Sequence, residues 1–190
     1  MAEFDDLTFR TILRRFASGV TVITTADDRG PWGMTVNSFT SVSLHPPLVL
    51  VAIDRRRRIV ATLRRIGRYV VNILGEDQQD LSDCFAGGPA PGAGGGAGTE
   101  DGPRSPGRDE LCGAAWHPGE LGLPVLDDAI ATLECTVIDV HAAGDHDLYV
   151  ARVERATTNG SDPLPLLYYS GRYLRIERAS VHELEGKPER

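Results

Sequence analysis

Cysteine is scarce in this 190-residue sequence, occurring only as Cys84, Cys112 and Cys135. The odd number, the wide spacing and the lack of a Cys-x-x-Cys pair argue against a disulfide framework and against a zinc or redox motif. We therefore expect three small side chains packed in or near a core. The five histidines are also scattered without metal-ligand spacing, so the sequence predicts no metal site.

Long apolar runs and an excess of positive charge are also missing. No apolar run approaches the length of a membrane span. The acidic N-terminus lacks the basic and apolar regions of a signal peptide, so we expect a cytoplasmic protein with no membrane insertion. The formal net charge of −7 argues against non-specific nucleic-acid binding, which requires a basic surface.

Length and composition, with 41% hydrophobic and 25% charged residues, predict one globular domain over residues 1–190. Within it, residues 87–107 are mostly glycine, alanine and proline, which predicts a flexible insertion. The polar tail from about residue 180 is expected to fray.

Three segments have the apolar spacing of helices. Residues 9–17 predict an amphipathic helix capped by Thr8, and residues 59–66 predict a short helix with a basic outer face. Residues 81–85 also have helical spacing, directly after a predicted strand. All three helices are short, so they are expected to lie at the periphery of the fold.

Strands outnumber these helices. β-branched and apolar runs predict strands at 20–25, 34–44, 48–53, 69–74, 130–140, 147–156, 166–169 and 173–176. The continuous run at 48–53 is expected to be buried on both faces, and Gly144-Asp145 predicts a hairpin turn. Because few strands are separated by helices long enough for parallel crossovers, we expect a mainly antiparallel sheet closed into a barrel.

Residues 35–43 concentrate six hydroxyl or amide side chains in nine positions. Such a strand offers many hydrogen bonds with little charge, which suits a polar planar heterocycle with a polyol chain. An edge strand that faces water would have the same composition. The residue types alone do not separate the two interpretations.

Three further segments have ligand-binding chemistry and an ordinary structural alternative. The arginines at 55–58 follow a buried strand and could hold phosphate, or they could form a solvated charged loop. In Gly144-Asp145-His146 the histidine could contact a ligand, or it could be incidental to the turn. Tyrosines at 168–173 could stack on a ring system or pack a core.

Taken together and in this order, these segments resemble the short-chain flavin reductase family. The matching motifs lie at residues 16–25, 33–39, 41–43 with 46–49, 69–74, 85–87 and 144–146. The resemblance runs from about Phe9 to Arg175 without the glycine-rich insertion, which is longer than is usual for the family. It implies a mainly β fold: an antiparallel, Greek-key-like split β-barrel of the flavin-reductase/FMN-binding type with peripheral helices, acting as a homodimer.

The resemblance also implies roles for individual residues. The residues expected to line the flavin ring and ribityl chain are Met34, Thr35, Val36, Asn37, Ser38, Ser41, Val42 and Ser43. Those expected to continue the site towards the flavin phosphate are Ala52, Asp54, Arg55, Arg57 and Arg58. Phe85, Ala86 and Gly87 are expected to close over the flavin. His146 is expected to orient the nicotinamide as the catalytic residue, and Tyr169 and Tyr173 offer an alternative nicotinamide contact.

The implied activity is reduction of free FAD or FMN by NADH or NADPH, with the reduced flavin supplied to a partner monooxygenase. The cofactors perform the hydride chemistry, and the protein orients them. Alternatives are a non-catalytic flavin- or haem-binding split-barrel protein and an interaction module without a ligand. The glycine-rich insertion is interpreted either as a lid or as a tolerated linear insertion.

Overall fold

The computed structural model describes residues 5–88, 110–160 and 163–177. Most of the insertion predicted at 87–107, and the tail from 180, lie outside these residues. Gly87 and Gly88 are described and complete a helix end, since their amides donate to the carbonyls of Cys84 and Asp83.

Three α-helices flank the sheet, at Asp6–Leu13 (α1), Ile59–Ile66 (α2) and Gln79–Phe85 (α3). The last two confirm the predicted helices. The first begins earlier than predicted because Asp5, and not Thr8, is its N-cap: the Asp5 carboxylate accepts a hydrogen bond from the Thr8 amide at 2.7 Å. A short 3₁₀ turn at Glu110–Gly113 was not predicted.

Twelve strands are present in the described residues. In chain order they are Ser18–Gly19 (β1), Thr21–Asp27 (β2), Gly30–Val36 (β3), Thr40–Leu44 (β4), Pro47–Asp54 (β5), Arg68–Ile73 (β6), Trp116–Pro118 (β7), Pro124–Leu126 (β8), Ala131–Ala143 (β9), His146–Thr158 (β10), Leu167–Tyr169 (β11) and Arg172–Leu174 (β12). The hairpin predicted around Gly144-Asp145 is confirmed as β9–β10. The three-residue pair β7–β8 was missed.

Seven of these strands form one antiparallel sheet in the order β3-β2-β6-β9-β10-β5-β4. The first and last strands of that order are consecutive in the chain and joined only by residues 37–39. The sheet therefore curls until its two edges meet at this link, while the hydrogen-bonded ladder stays open between β3 and β4 among the described residues. This architecture confirms the predicted mainly β split barrel with peripheral helices. The expectation that the sheet closes into a barrel is wrong for the described residues, because β3 and β4 do not pair with each other.

The single strand predicted at 34–44 is wrong, since the chain breaks between β3 and β4. The Ser38 hydroxyl in the break donates to the Ala52 carbonyl at 2.7 Å and accepts from the Ala52 amide at 3.1 Å. A side chain thus takes the place of a ladder partner opposite β5. The composition of 34–44 favours a strand throughout, so only closure of the sheet determines where the break falls.

The barrel interior is packed by alternate residues of the strands, and its largest buried side chains include Tyr69, Tyr149 and Ile53. On β5, Val49, Val51 and Ile53 are buried while Leu50 and Ala52 are only half-buried. The prediction that this strand is buried on both faces is therefore wrong. Its outward face contributes to the site below.

A second apolar cluster lies between β2 and α3 and includes Val22, Phe85 and Leu111. Cys84 and Cys112 form a disulfide within it, with their Cα atoms 6.1 Å apart. The prediction that all three cysteines are free is wrong for this pair, because residues 28 positions apart meet only in the folded chain. Cys135 is free and fully buried, as predicted.

No helix among the described residues is long and apolar enough to cross a membrane. The same residues contain no cluster of histidine, cysteine, aspartate or glutamate that could hold a metal ion.

Candidate functional site

The predicted site residues of β5 and β10 lie in register on the outward face of the sheet. His146 is paired with Asp54, Leu148 with Ala52, and Val150 with Leu50. Leu50, Ala52, Leu148 and Val150 are half-buried, whereas the intervening residues on each strand point into the core. They form a half-buried apolar surface, here called the β5–β10 platform, with the ionisable side chains of Asp54 and His146 at one end.

The polar segment borders this platform but does not act as one surface. Met34 packs against the core and Val36 is buried in it, so the Val36 side chain cannot reach a ligand on the outside. The Thr35 hydroxyl donates to the Ser82 carbonyl of α3 at 2.6 Å. The Ser38 hydroxyl is occupied by Ala52. Asn37 is exposed at the link.

The β4 half of the segment is open. Ser41 is exposed, Val42 is 51% exposed, and a register shift between Ser41 and Ser43 places Val42 in a bulge. The Ser43 hydroxyl accepts a hydrogen bond from the His45 amide at 3.2 Å. Asn37 and Ser41 are therefore the exposed polar side chains on the predicted list from this segment.

The predicted closing residues at the end of α3 have different surroundings. Phe85 is buried, and a Cβ added to Gly33 would lie 2.2 Å from its ring, so β3 and α3 are in direct contact there. Ala86 is exposed, and Gly87 is buried with a φ of 107° that favours glycine. Of the three, Ala86 is the residue with an exposed side chain.

The tyrosines predicted as ring contacts lie on the β11–β12 hairpin. The Tyr173 hydroxyl donates to the Asp83 carboxylate at 2.9 Å and lies 2.9 Å from the Ser82 hydroxyl. Its ring meets the Tyr168 ring edge-on at 5.4 Å, and burial raises the pKa of Tyr173 to about 12. Tyr173 therefore holds α3 in place, while Tyr169 is half-buried beside it.

Two of the arginines after β5 form ion pairs with aspartates. Arg56 forms an ion pair with Asp54 at 2.6 Å, and these hydrogen bonds hold the pKa of Asp54 well below its usual range. Arg55 donates to Asp147 at 2.8 Å. Among the described residues the Arg57 guanidinium makes no ion pair, and Arg58 is exposed at the N-cap of α2.

His146 begins β10 at the mouth of the platform, with its side chain 42% exposed. Its Nδ1 lies 2.6 Å from the Asp145 carboxylate, and this hydrogen bond lowers the pKa of Asp145. Gly144 has a left-handed φ of 59°, which lets the turn form without strain. The turn therefore presents the imidazole beside Asp54, with Nδ1 already engaged.

Sequence reasoning missed the groups that hold this turn. Asp147 is buried and accepts hydrogen bonds from Arg55 and from Arg64 of α2. The signal was available, because strand alternation after His146 places Asp147 on the core face, where a carboxylate requires partners. Nothing in the local sequence identifies Arg64 as one of those partners.

A separate groove of about 460 Å³ lies between the β7–β8 hairpin and the ends of β9 and β10. Four of its ionisable side chains form two ion pairs, His117 with Asp127 and Arg155 with Glu120. The fifth, Glu134, accepts hydrogen bonds from the backbone amides of Glu120 and Leu121. None of the predicted site residues lines it, so it does not coincide with the β5–β10 platform.

The structure is thus a split barrel with a half-buried apolar platform, exposed polar side chains near one edge, and arginines after β5. Residues 13–177 match the family model described as "Flavin reductase like domain". The chain belongs to the flavin reductase family.

Individual relatives agree with this assignment. The chain is 40% identical to an NADH-dependent flavin reductase of a Rhodococcus species, covering 92% of this chain and 89% of the relative. It is 37% identical to the reductase subunit HsaB of a flavin-dependent monooxygenase of Mycobacterium tuberculosis, covering 93% and 85%. A solved structure of the Streptomyces globisporus NADH:FAD oxidoreductase SgcE6, in complex with NAD and FAD fragments, superposes with a TM-score of 0.77 at 30% identity, covering 93% and 98%.

Proposed function

We propose that this chain uses NADH or NADPH to reduce free FAD or FMN, and that the reduced flavin serves a separate flavin-dependent monooxygenase. The observation that carries the proposal is similarity over most of the chain to a relative named as an NADH-dependent flavin reductase. The relative named as a monooxygenase reductase subunit supports the partner.

The flavin is proposed to lie across the β5–β10 platform. Its half-buried apolar surface fits a planar ring, and the exposed Asn37 and Ser41 offer hydrogen bonds at its edge. Arg57 and Arg58 would meet the phosphate end, with the Arg57 guanidinium supplying a cation that makes no ion pair among the described residues. The backbone of Met34, Val36 and Ser38 would contribute where their side chains are occupied.

His146 is proposed to orient the nicotinamide over the flavin. When both are bound, the reduced nicotinamide supplies a hydride and the flavin accepts it. Transfer depends on holding the two rings in contact, so the contribution of His146 is positioning through its exposed imidazole face. Asp145 fixes that imidazole at Nδ1, which leaves Nε2 directed away from the turn.

The experiment that tests this function mixes purified protein, FAD or FMN, and NADH or NADPH, and follows loss of reduced-nicotinamide absorbance. We expect a rate well above the protein-free control with at least one combination. No acceleration with any of the four combinations would contradict the function. Flavin binding without acceleration would instead support a non-catalytic binding protein.

A homodimer with the flavin near the subunit interface is proposed as the working assembly. Helix α1 has no buried residue, and an apolar stripe of Leu7, Ile12, Leu13 and the following Phe16 is 54–79% exposed. Contiguous exposed apolar side chains of this kind are typical of an interface, and a second copy of the chain would cover them symmetrically. Light scattering should give twice the monomer mass at micromolar concentration, and an active monomer would contradict the assembly.

Residues 1–190 are proposed to act as one domain in the cytoplasm, where reduced nicotinamide cofactors are available to it. In that compartment, cellular thiol reductants would act on the Cys84–Cys112 disulfide. The protection of this buried pair in cells is measurable by differential thiol labelling of protein taken from cytoplasmic extract.

A further inference from the structure

The turn that presents His146 is held by one arginine at three successive residues. The Arg55 amide donates to the Asp145 carbonyl at 3.1 Å, and its guanidinium donates to the His146 carbonyl at 3.2 Å and to Asp147 at 2.8 Å. The end of β5 and the start of β10 are thereby fixed to each other. The position of His146 depends on this attachment.

The hydrogen bond from the Arg55 guanidinium to Asp147 is made to a buried carboxylate. The Asp147 side chain is only 4% exposed, and its second oxygen accepts a hydrogen bond from Arg64 at 2.7 Å. A buried carboxylate is destabilising unless both oxygens have charged or polar partners. Arg64 is therefore the second of the two cations that keep Asp147, and with it the turn, in place.

Arg64 comes from an element that contributes no predicted residue to the platform. The buried residues of helix α2 are Ile59, Val60, Thr62 and Leu63. The next residue, Arg64, donates a hydrogen bond to Asp147 of β10. The Arg64 side chain as a whole is 58% exposed, whereas the Asp147 side chain that its guanidinium meets is only 4% exposed. The helix thus connects the barrel wall with the residue that follows His146.

We propose that Arg64 is a positioning residue for the nicotinamide, acting through Asp147 on the turn that carries His146. The inference rests on the proposed role of His146 in nicotinamide binding. Arg64 does not touch a reacting atom. Loss of its contact frees one oxygen of Asp147 and lets the turn shift relative to β5, which weakens nicotinamide binding and leaves the flavin platform intact.

The next residue on the same helix provides a matched control. Arg65 is 52% exposed and forms ion pairs at 2.8 Å with Asp27, whose side chain is fully buried, and with the exposed Asp28. Both arginines therefore join α2 to a buried aspartate with similar geometry. Asp27 lies at the end of β2 and is also bonded to Arg29, Trp32 and Thr62. Among the described residues, none of these partners belongs to the His146 turn.

The experiment compares Arg64→Met with Arg65→Met in steady-state kinetics, varying the nicotinamide at saturating flavin and then the flavin at saturating nicotinamide. We expect Arg64→Met to raise the KM for nicotinamide roughly 5- to 20-fold and to leave the KM for flavin within about twofold. Arg65→Met should leave both within about twofold, even if its melting temperature falls further. Arg64→Lys, which keeps the charge without the planar fork, should lie between wild type and Arg64→Met.

A second readout does not depend on turnover. Amide chemical shifts of residues 144–147 should move in Arg64→Met and stay in place in Arg65→Met. An active wild-type protein with equal nicotinamide KM values in the two variants, or unmoved shifts at 144–147, would overturn the inference. An inactive wild type would instead overturn the proposed function, and the two failures are therefore distinguishable. If Arg64→Met does not fold, the Arg64→Lys kinetics and shifts decide.

Discussion

The two halves of the polar segment, β3 with the link and β4, have similar residues and different surroundings. In the first half, Thr35 is bonded to α3, Ser38 to β5, and Val36 is packed in the core. In the second half, Ser41 and Val42 are exposed. The difference shows that hydroxyl side chains on one segment serve the fold where another element covers them and remain available for a ligand where nothing does.

The largest expected loss of stability comes from breaking the disulfide that anchors α3, the helix that covers the β3 half of the segment. The Cys84–Cys112 disulfide joins α3 to the turn at 110–113 across 28 residues, and closing a loop of that length stabilises the fold by about 3–4 kcal/mol. We expect a dithiol reductant to lower the urea midpoint of unfolding. The double variant Cys84→Ser/Cys112→Ser should have the low midpoint already and should not respond to the reductant. An unchanged wild-type midpoint would show that the link contributes nothing.

A smaller effect is expected from Gly33→Ala, which places a methyl group against the Phe85 ring at an impossible 2.2 Å. Overpacking of this kind costs about 1–3 kcal/mol, and it should displace α3 from β3. The melting temperature and flavin affinity should both fall. Gly19→Ala serves as the control, because its added Cβ would meet nothing within 4 Å; equal losses in both variants would contradict the close contact.

Removing one hydroxyl from each half, at Thr35 and at Ser41, compares the covered and the exposed side chains directly. Thr35→Val removes the bond to the Ser82 carbonyl, and we expect a loss of about 1 kcal/mol in the free energy of unfolding. Ser41→Ala should change that free energy by less than about 0.5 kcal/mol while weakening flavin binding. Urea titration and flavin titration of both variants measure the four quantities. The reverse pattern would mean that the covered and open halves are assigned the wrong way round.

The smallest effect concerns acid pH. Hydrogen bonds from Arg64 and Arg55 hold the pKa of Asp147 below its usual range. A depressed pKa in the folded state contributes stability that is present above the unfolded pKa, near 4, and is lost as the pH falls through the folded pKa. Between neutral pH and about pH 3, the melting temperature of Asp147→Asn should therefore fall less than that of the wild type. Parallel acid curves would contradict this coupling.

Local signals predicted much of the fold. Gly144-Asp145 fixed the β9–β10 hairpin because a turn is encoded in two residues, and the apolar spacing at 59–66 matched α2. The break at 37–39 was missed because it is imposed by sheet closure. The disulfide was missed for a related reason, since Cys84 and Cys112 approach each other only through tertiary contacts.

Which residues function in the candidate site stays a prediction, but the positions of the predicted residues can be compared with the structure. The family motifs identified Ala52, Asp54 and His146, which the structure brings into register on β5 and β10. Hydrogen-bond partners were not predictable, because the same hydroxyl on Thr35 or Ser41 can face a helix or water. The contact between Asp147 and Arg64 was not predicted, because no sequence motif links them. The packing of α2 against the barrel brings them together.

The most direct test of the account is the steady-state kinetics of His146→Ala, varying the nicotinamide at saturating flavin. Loss of one positioning contact should lower kcat/KM for the nicotinamide roughly 5- to 150-fold, equivalent to about 1–3 kcal/mol in the transition state, while flavin affinity stays unchanged. An unchanged kcat/KM would contradict the role of His146 and would direct the search for the nicotinamide site to Tyr169 and Tyr173.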